Sequence, residues 1–214
     1  MITTFRFCAA LLAAALGAPA PASAADEHSH HQHHKPQAEP DKPSTVKVRY
    51  DDSVLTDQAG RALKLKTDVI GDRLVVVDFV YTTCTTVCPV LTALLASVQK
   101  ELGNPAADDL RLVSITVDPA RDTPSRLKEY ANKHGAQPGW LWLTGPTGRV
   151  NEVLKGFGAY TPNFEDHPPL VLVGDARSGH WTRFYGFADP KAVVAKVREL
   201  RAARSDAMPA GHKH

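Results

Sequence analysis

Apolar positions along this chain repeat with two periods, and the alternation between them sketches a fold. Leu74-Val75-Val76-Val77-Asp78-Phe79-Val80-Tyr81 is a near-continuous apolar run, which predicts a central strand covered on both faces. Leu110 to Val117 predicts a second such strand. Between them Pro89 opens a helix with Leu91, Leu94, Leu95, Val98 and Leu102 on one stripe, closed by Gly103. Thr123 caps the next helix with Pro124 in its first turn; Leu127, Tyr130, Ala131 and His134 share a face, and Gly135 ends it. Trp140 to Leu143 reads as a short strand, Thr147 to Gly156 as a short helix and Ala159 to Pro169 as a long loop.

Strands Leu170–Val173 and Trp181–Tyr185 flank a turn at Asp175–Gly179 and predict a hairpin, and a last helix covers Lys191 to Arg204. Upstream, Val46 to Tyr50 alternates like a strand, and Asp57-Gln58-Ala59-Gly60 is a turn between short edge strands. The main order is β-α-β-α-β-α-β-β-α without internal repeats, which predicts an α/β domain over residues 45–204: a central mixed sheet flanked by helices. A cysteine-bearing loop directly after the first long strand suggests a thioredoxin-like arrangement.

The ends have a different pattern. Phe7 to Leu16 is rich in Ala and Leu, Arg6 precedes it, and Ala22-Ser23-Ala24 has small residues at the positions a signal peptidase reads. Residues 1–24 therefore read as a cleavable signal peptide, with export to the periplasm. An uncleaved anchor is the weaker reading, because the run is short for about 30 Å of hydrocarbon. Residues 25–44 carry almost no apolar content and read as a disordered tail. Five His lie between His28 and His34; that density suits loose collection of Cu(II), Zn(II) or Ni(II), or a merely solvated tail. Residues 205–214 form a second tail with His212 and His214.

Composition narrows the class. With 43% hydrophobic and 22% charged residues the chain suits a globular protein, and a net charge of +2 is too balanced for a nucleic-acid binder. Three Cys exclude a disulfide-dense scaffold. Removal of the leader takes Cys8 with it and leaves Cys84 and Cys88, two thiols that an oxidising compartment requires to be paired, protected or ligated.

Those two thiols stand in Thr82-Thr83-Cys84-Thr85-Thr86-Val87-Cys88-Pro89, between a buried strand and a helix. Four residues of helix bring them onto one face, where they can close a disulfide or share a soft metal such as Cu(I). The start of the helix favours a thiolate at Cys88. A third metal ligand is sought among His134, His167 and His180. His167 precedes a strand expected beside the cysteine strand, whereas His134 ends a helix and His180 sits in a hairpin turn. Asp166 could orient His167. Asp118, at the end of the second central strand, opens toward the same region, while Asp122 and Thr123 read as caps. Asp78, buried in the central strand, should have a raised pKa and could exchange a proton with a thiol.

Tyr81 to Pro89, Ser114 to Tyr130, Leu143-Thr144-Gly145 and Asp166-His167 before a strand together resemble the Sco/SenC family of copper chaperones. The resemblance spans about residues 45–202. It implies a thioredoxin-like fold and copper, as Cu(I) or Cu(II), held by Cys84, Cys88 and His167. It also implies delivery to the CuA centre of cytochrome c oxidase subunit II or to another periplasmic cuproprotein, with other copper carriers as further partners. Some members look more like thiol-disulfide oxidoreductases that reduce client cysteines before metallation, which would make Cys84 and Cys88 a redox pair. The family often has Pro-Asp-Val between its cysteines, where this chain has Thr85-Thr86-Val87, and Pro168-Pro169 follows the His. A peroxidase of the peroxiredoxin type shares the fold and needs a Thr-x-x-Cys nucleophile with an activating Arg, a set that Thr82 to Thr86 does not place clearly, and a copper-type His would then be unexplained.

Overall fold

The protein is described by a computed structural model over residues 42–103 and 109–207. The leader, the His-rich segment up to Asp41, and His212 and His214 lie outside the described residues. In chain order the strands are β1 (Ser44–Val46), β2 (Val54–Asp57), β3 (Ala62–Lys64), β4 (Leu74–Val80), β5 (Leu110–Thr116), β6 (Trp140–Thr144), β7 (Leu170–Asp175) and β8 (His180–Tyr185). The helices are α1 (Val87–Leu102), α2 (Pro124–Lys133), α3 (Thr147–Phe157) and α4 (Pro190–Asp206). The strands join one mixed sheet in the order β1-β8-β7-β4-β5-β6-β2-β3. β4, β5 and β6 run parallel, and β7 lies antiparallel against β4, with Val77 opposite Leu172.

β4 is the centre because every one of its residues is buried, which only an unbroken apolar run tolerates on both faces of a sheet. Its alternation splits the interior in two. Leu74, Val76 and Val80 face a core with Leu91, Leu95 and Val98 of α1, Leu127 and Tyr130 of α2, and Val193 and Val197 of α4. Val75, Val77 and Phe79 face a second core with Val150, Leu154 and Phe157 of α3, Trp181, and Leu65 and Ile70 of a one-turn π-helix at Leu65–Ile70. This is the thioredoxin-like arrangement read from the sequence.

The edges differ from expectation. The first strand is Ser44–Val46, not Val46–Tyr50. Its last partner is Trp181, and the chain then leaves the sheet so that the Arg49 amide can donate to the Gly156 carbonyl at 3.0 Å. Only glycine fits at 156, since a Cβ there would stand 2.0 Å from the Arg49 oxygen. Among the described residues no helix is long and apolar enough to cross a membrane.

Candidate functional site

β4 and β5 both end at the same edge of the sheet, and β7, running the other way, begins there. Three loops therefore meet: the cysteine loop after Val80, the Asp118–Thr123 loop after β5, and the His167 segment before β7. Cys84 and Cys88 are both buried free thiols. Helix α1 begins at Val87, two residues before the Pro89 start expected from sequence, so Cys88 lies inside its first turn. The Cys88 amide therefore points back to the Cys84 sulfur, at 3.2 Å.

This geometry reverses the expected thiolate. Burial pushes the Cys84 thiol up, but hydrogen bonds from the Cys88 thiol, the Cys88 and Thr86 amides and the Tyr81 hydroxyl outweigh it and bring Cys84 down to about 7. Cys88 moves the other way: burial, its donation to Cys84 and the negative charges at Cys84 and Asp78 all raise it. The amides of the helix start serve the neighbour's sulfur, not the sulfur of Cys88 itself. The result is a pair in which one thiol is poised to ionise and the other supplies the hydrogen bond that favours it.

Asp78 is fully buried on the cysteine side of β4, as expected. Its Oδ1 accepts from Ser114 Oγ at 2.5 Å, which in turn accepts from Trp140 Nε1 at 2.9 Å, while Oδ2 has no partner. Burial raises Asp78 to about 7.

His167 is buried beside these groups but not joined to them. Its Nδ1 lies 3.0 Å from the Phe164 carbonyl and its Nε2 3.1 Å from the Phe79 carbonyl. Burial lowers its pKa, against the two carbonyl contacts. A neutral ring has one N–H, so one of the two carbonyls faces a lone pair. Among the described residues no three His, Cys, Asp or Glu side chains converge as a metal cage. Asp166 does not orient the ring as expected; it is exposed in the short 3₁₀ turn Phe164–Asp166, and that turn places the Phe164 carbonyl against Nδ1 instead.

His134 is the C-cap of α2, its ring tilted against Tyr130 with centres 4.3 Å apart, and its burial lowers its pKa, which opposes a charged partnership with the helix end. His180 is exposed at the start of β8. Neither is grouped with the thiols.

Asp118 is buried and pairs with Arg121 at 2.9 Å, and the Arg121 guanidinium lies 5.4 Å from the centre of the Phe164 ring. Asp122, read as a cap, is instead a buried clamp. It accepts from the Thr82 amide at 3.2 Å, the Thr82 hydroxyl at 2.5 Å and the Thr116 hydroxyl at 2.6 Å. Thr123 alone caps α2. The other residue missed from sequence is Tyr81. Its ring meets His167 edge-on at 5.7 Å and Phe164 at 5.1 Å. Burial, then the bond to Cys84, raise its pKa to about 12. Both residues border the cysteine motif in space, but only Tyr81 borders it in sequence.

The chain was compared with known proteins. The SCO1/SenC family pattern matches residues 41–202. A SCO2-like protein of Rickettsia conorii is 30% identical over 177 residues, covering 74% of this chain and 84% of that protein. A copper-bound structure of Bradyrhizobium japonicum ScoI is similar with a TM-score of 0.58 at 26% identity, over 72% of this chain and 99% of that one. The structure of BsSco, a member of the Sco family of cytochrome c oxidase assembly proteins in which a disulfide switch was identified, matches with a TM-score of 0.62 at 24% identity, over 74% and 96%. That last likeness speaks to the fold. The matched span takes in the cysteine motif, the Asp118–Thr123 loop and His167, and the chain belongs to the SCO1/SenC family.

Proposed function

We propose that this protein is an exported copper carrier. It takes up one copper ion through the thiolates of Cys84 and Cys88 with the imidazole of His167 as third ligand, and passes it to a periplasmic cuproenzyme. The observation that carries the reading is the pair of buried thiols at the meeting point of three loops, with the Cys88 amide donating to the Cys84 sulfur at 3.2 Å and Cys84 brought down to about 7. A thiolate pair is a soft donor set suited to Cu(I). The copper bound to the Bradyrhizobium relative supports the cargo. The CuA centre of cytochrome c oxidase subunit II is the client favoured by the family's link to oxidase assembly. Among the described residues the three candidate ligands are not gathered into one cluster, so uptake includes a movement of His167 off the Phe79 carbonyl.

A second reading has its own observation: a thiol near neutrality hydrogen-bonded to a partner thiol is also a disulfide-exchange pair. There the Cys84 thiolate attacks a client disulfide. Cys88 then gives up its proton and displaces the client dithiol, so that two electrons pass to the client as Cys84 and Cys88 become linked.

Anaerobic titration with Cu(I) tests the first reading. The reduced full chain should bind one more copper tightly than the Cys84→Ser/Cys88→Ser variant, whose remaining binding reports the His-rich segment. Equal stoichiometry and affinity in the two proteins would remove the thiol site. Export is tested separately: intact mass of periplasmic material should show Ala25 as the first residue, and recovery of the whole chain in membranes would refute a cleaved leader.

A further inference from the structure

The thiols occupy one end of the sheet. At the other end the start of β4, the end of β7 and the last turn of α4 border a cleft of about 590 Å³. The seven residues of β4 put it roughly 20 Å from the cysteine loop. Three arginines line the cleft, one from each border: Arg73 directly before β4, Arg177 just after β7 and Arg204 in the last turn of α4. The backbone gathers them. The Ala176 amide donates to the Arg73 carbonyl at 3.1 Å, which sets Arg177 beside Arg73. Asp175 Oδ1 accepts from the Arg177 amide at 2.9 Å and from Arg204 Nη2 at 2.5 Å. Arg73 Nη1 lies over Gly71, where a Cβ would come within 2.6 Å of it.

The charges around the cleft do not cancel. Asp109 is engaged by Arg201 at 2.7 Å and Asp175 by Arg204. Lys66 and Asp72, both exposed on the rim, oppose each other in sign. Arg73 and Arg177 have no ion pair among the described residues. The Nε atoms of Arg73 and Arg204 are buried, and neither has an acceptor among the described residues. A buried N–H without an acceptor is costly, so a ligand oxygen offered to it counts for more than one offered to a solvated group.

We propose that this cleft binds a tetrahedral dianion of the phosphate class: inorganic phosphate, or the phosphoryl group of a small soluble phosphate monoester. A guanidinium keeps its charge throughout the physiological pH range, and its planar fork matches phosphate oxygens. A flat carboxylate has two oxygens and one charge, too few for three forks. A phosphate dianion offers an oxygen to each arginine and brings the cleft closer to neutrality. The volume suits such a group with a modest substituent, being in the range of small-molecule sites. Once bound, the anion ties the end of α4 to the start of β4 and to the β7–β8 turn. The site stands apart from the copper reading, because the two lie at opposite ends of the sheet.

The test is titration of the full chain with inorganic phosphate near neutral pH, with chloride balancing the ionic strength, followed by NMR of the arginine Nε–H groups. Wild type is compared with R73Q, R177Q and R198Q; Arg198 is exposed on α4 and pairs with Glu101 outside the cleft. Phosphate should shift the Arg73 and Arg204 signals of wild type and raise its Tm. R73Q should bind phosphate about tenfold more weakly or worse, the size of one lost hydrogen bond to a charged group. R177Q should weaken binding by a smaller factor, and R198Q should match wild type. Arg177 is exposed, so R177Q carries the comparison if R73Q does not fold. Acetate at the same ionic strength should bind at least about tenfold more weakly than phosphate, having one charge and two oxygens for three forks. Equal phosphate affinity in all four proteins would overturn the site. So would acetate binding as tightly as phosphate, or a loss in R198Q as large as in R177Q, which is diffuse attraction to positive charge. Binding to phosphatidylglycerol vesicles without binding to inorganic phosphate would also overturn it and make the arginines a membrane-facing patch.

Discussion

Two cysteines four residues apart differ in this protein by what surrounds each sulfur, not by distance from the helix start. The Cys88 amide donates to the Cys84 sulfur and helps bring that thiol down to about 7, whereas burial pushes up Cys88, which lies near the carboxyl of Asp78. Alkylation by iodoacetamide should therefore label Cys84 first, with a rate that rises with pH to half its maximum near 7, while Cys88 stays unlabelled throughout. Equal labelling, or a midpoint near the ordinary thiol value, would refute the assignment. Asp78 gives a second test at this scale. Its folded pKa is raised to about 7, so between about pH 4 and 7 the native state keeps a proton that the unfolded chain releases. Stability should fall as pH rises through that window, by at most about 1.4 kcal/mol per pH unit, and level off above it. D78N, neutral at every pH, should flatten that slope in urea unfolding, and a slope that survives the change would place the proton elsewhere. The spacing of the cysteines and the burial of Asp78 were legible in sequence, because periodicity and position along a strand determine them. Which sulfur ionises was not, since that depends on an amide aimed backward from the first turn of α1.

At the scale of elements, β4, β5 and the capped helix α2 follow directly from local pattern, because their partners lie on both faces and their caps are adjacent in sequence. The short edges do not. β1 is displaced by a contact to Gly156, more than a hundred residues away, and the π-helical turn packs Leu65, Val69 and Ile70 inward where no simple period marks them. Asp122 shows the same limit at the site. Local reasoning makes it a cap, yet forty residues separate it from the Thr82 that it holds. The clamp joins the cysteine loop to the end of β5, and Thr116, which donates to it, also accepts from the Asp118 amide at 2.9 Å. D122A would leave the Thr82 and Thr116 donors without their acceptor. Each buried donor left unsatisfied costs about 1–3 kcal/mol. The variant should thus lose a few kcal/mol in denaturant unfolding and lose hydrogen-exchange protection at the Thr82 amide, with β7 and β8 unaffected. Intact protection at Thr82 would mean that the cysteine loop does not depend on the clamp.

Across the whole molecule the sheet is a partition, and the site straddles its edge. Cys84 and Cys88 are set into the core built by α1, α2 and α4. His167 instead belongs to the loop that feeds β7, fixed by two carbonyls and by no bond to either sulfur. That separation predicts separable functions. On the copper reading, removing the imidazole takes away a ligand but leaves the Cys88 amide on the Cys84 sulfur, so thiol chemistry and copper binding should respond differently to one change. H167A should weaken Cu(I) binding by at least the 10- to 100-fold that disturbing even a supporting group around a metal produces. The Cys84–Cys88 equilibrium with a glutathione buffer should stay within about a few-fold of wild type, because that balance follows the thiols' own pKa values and access. The fold must survive for the comparison to hold, which far-UV circular dichroism and the urea midpoint check, because the Phe79 carbonyl that loses its ring contact is buried. If copper affinity stays put while disulfide exchange collapses, the ranking of the two readings reverses: the imidazole then serves the thiols across the partition, and the protein works as a reductant of client cysteines.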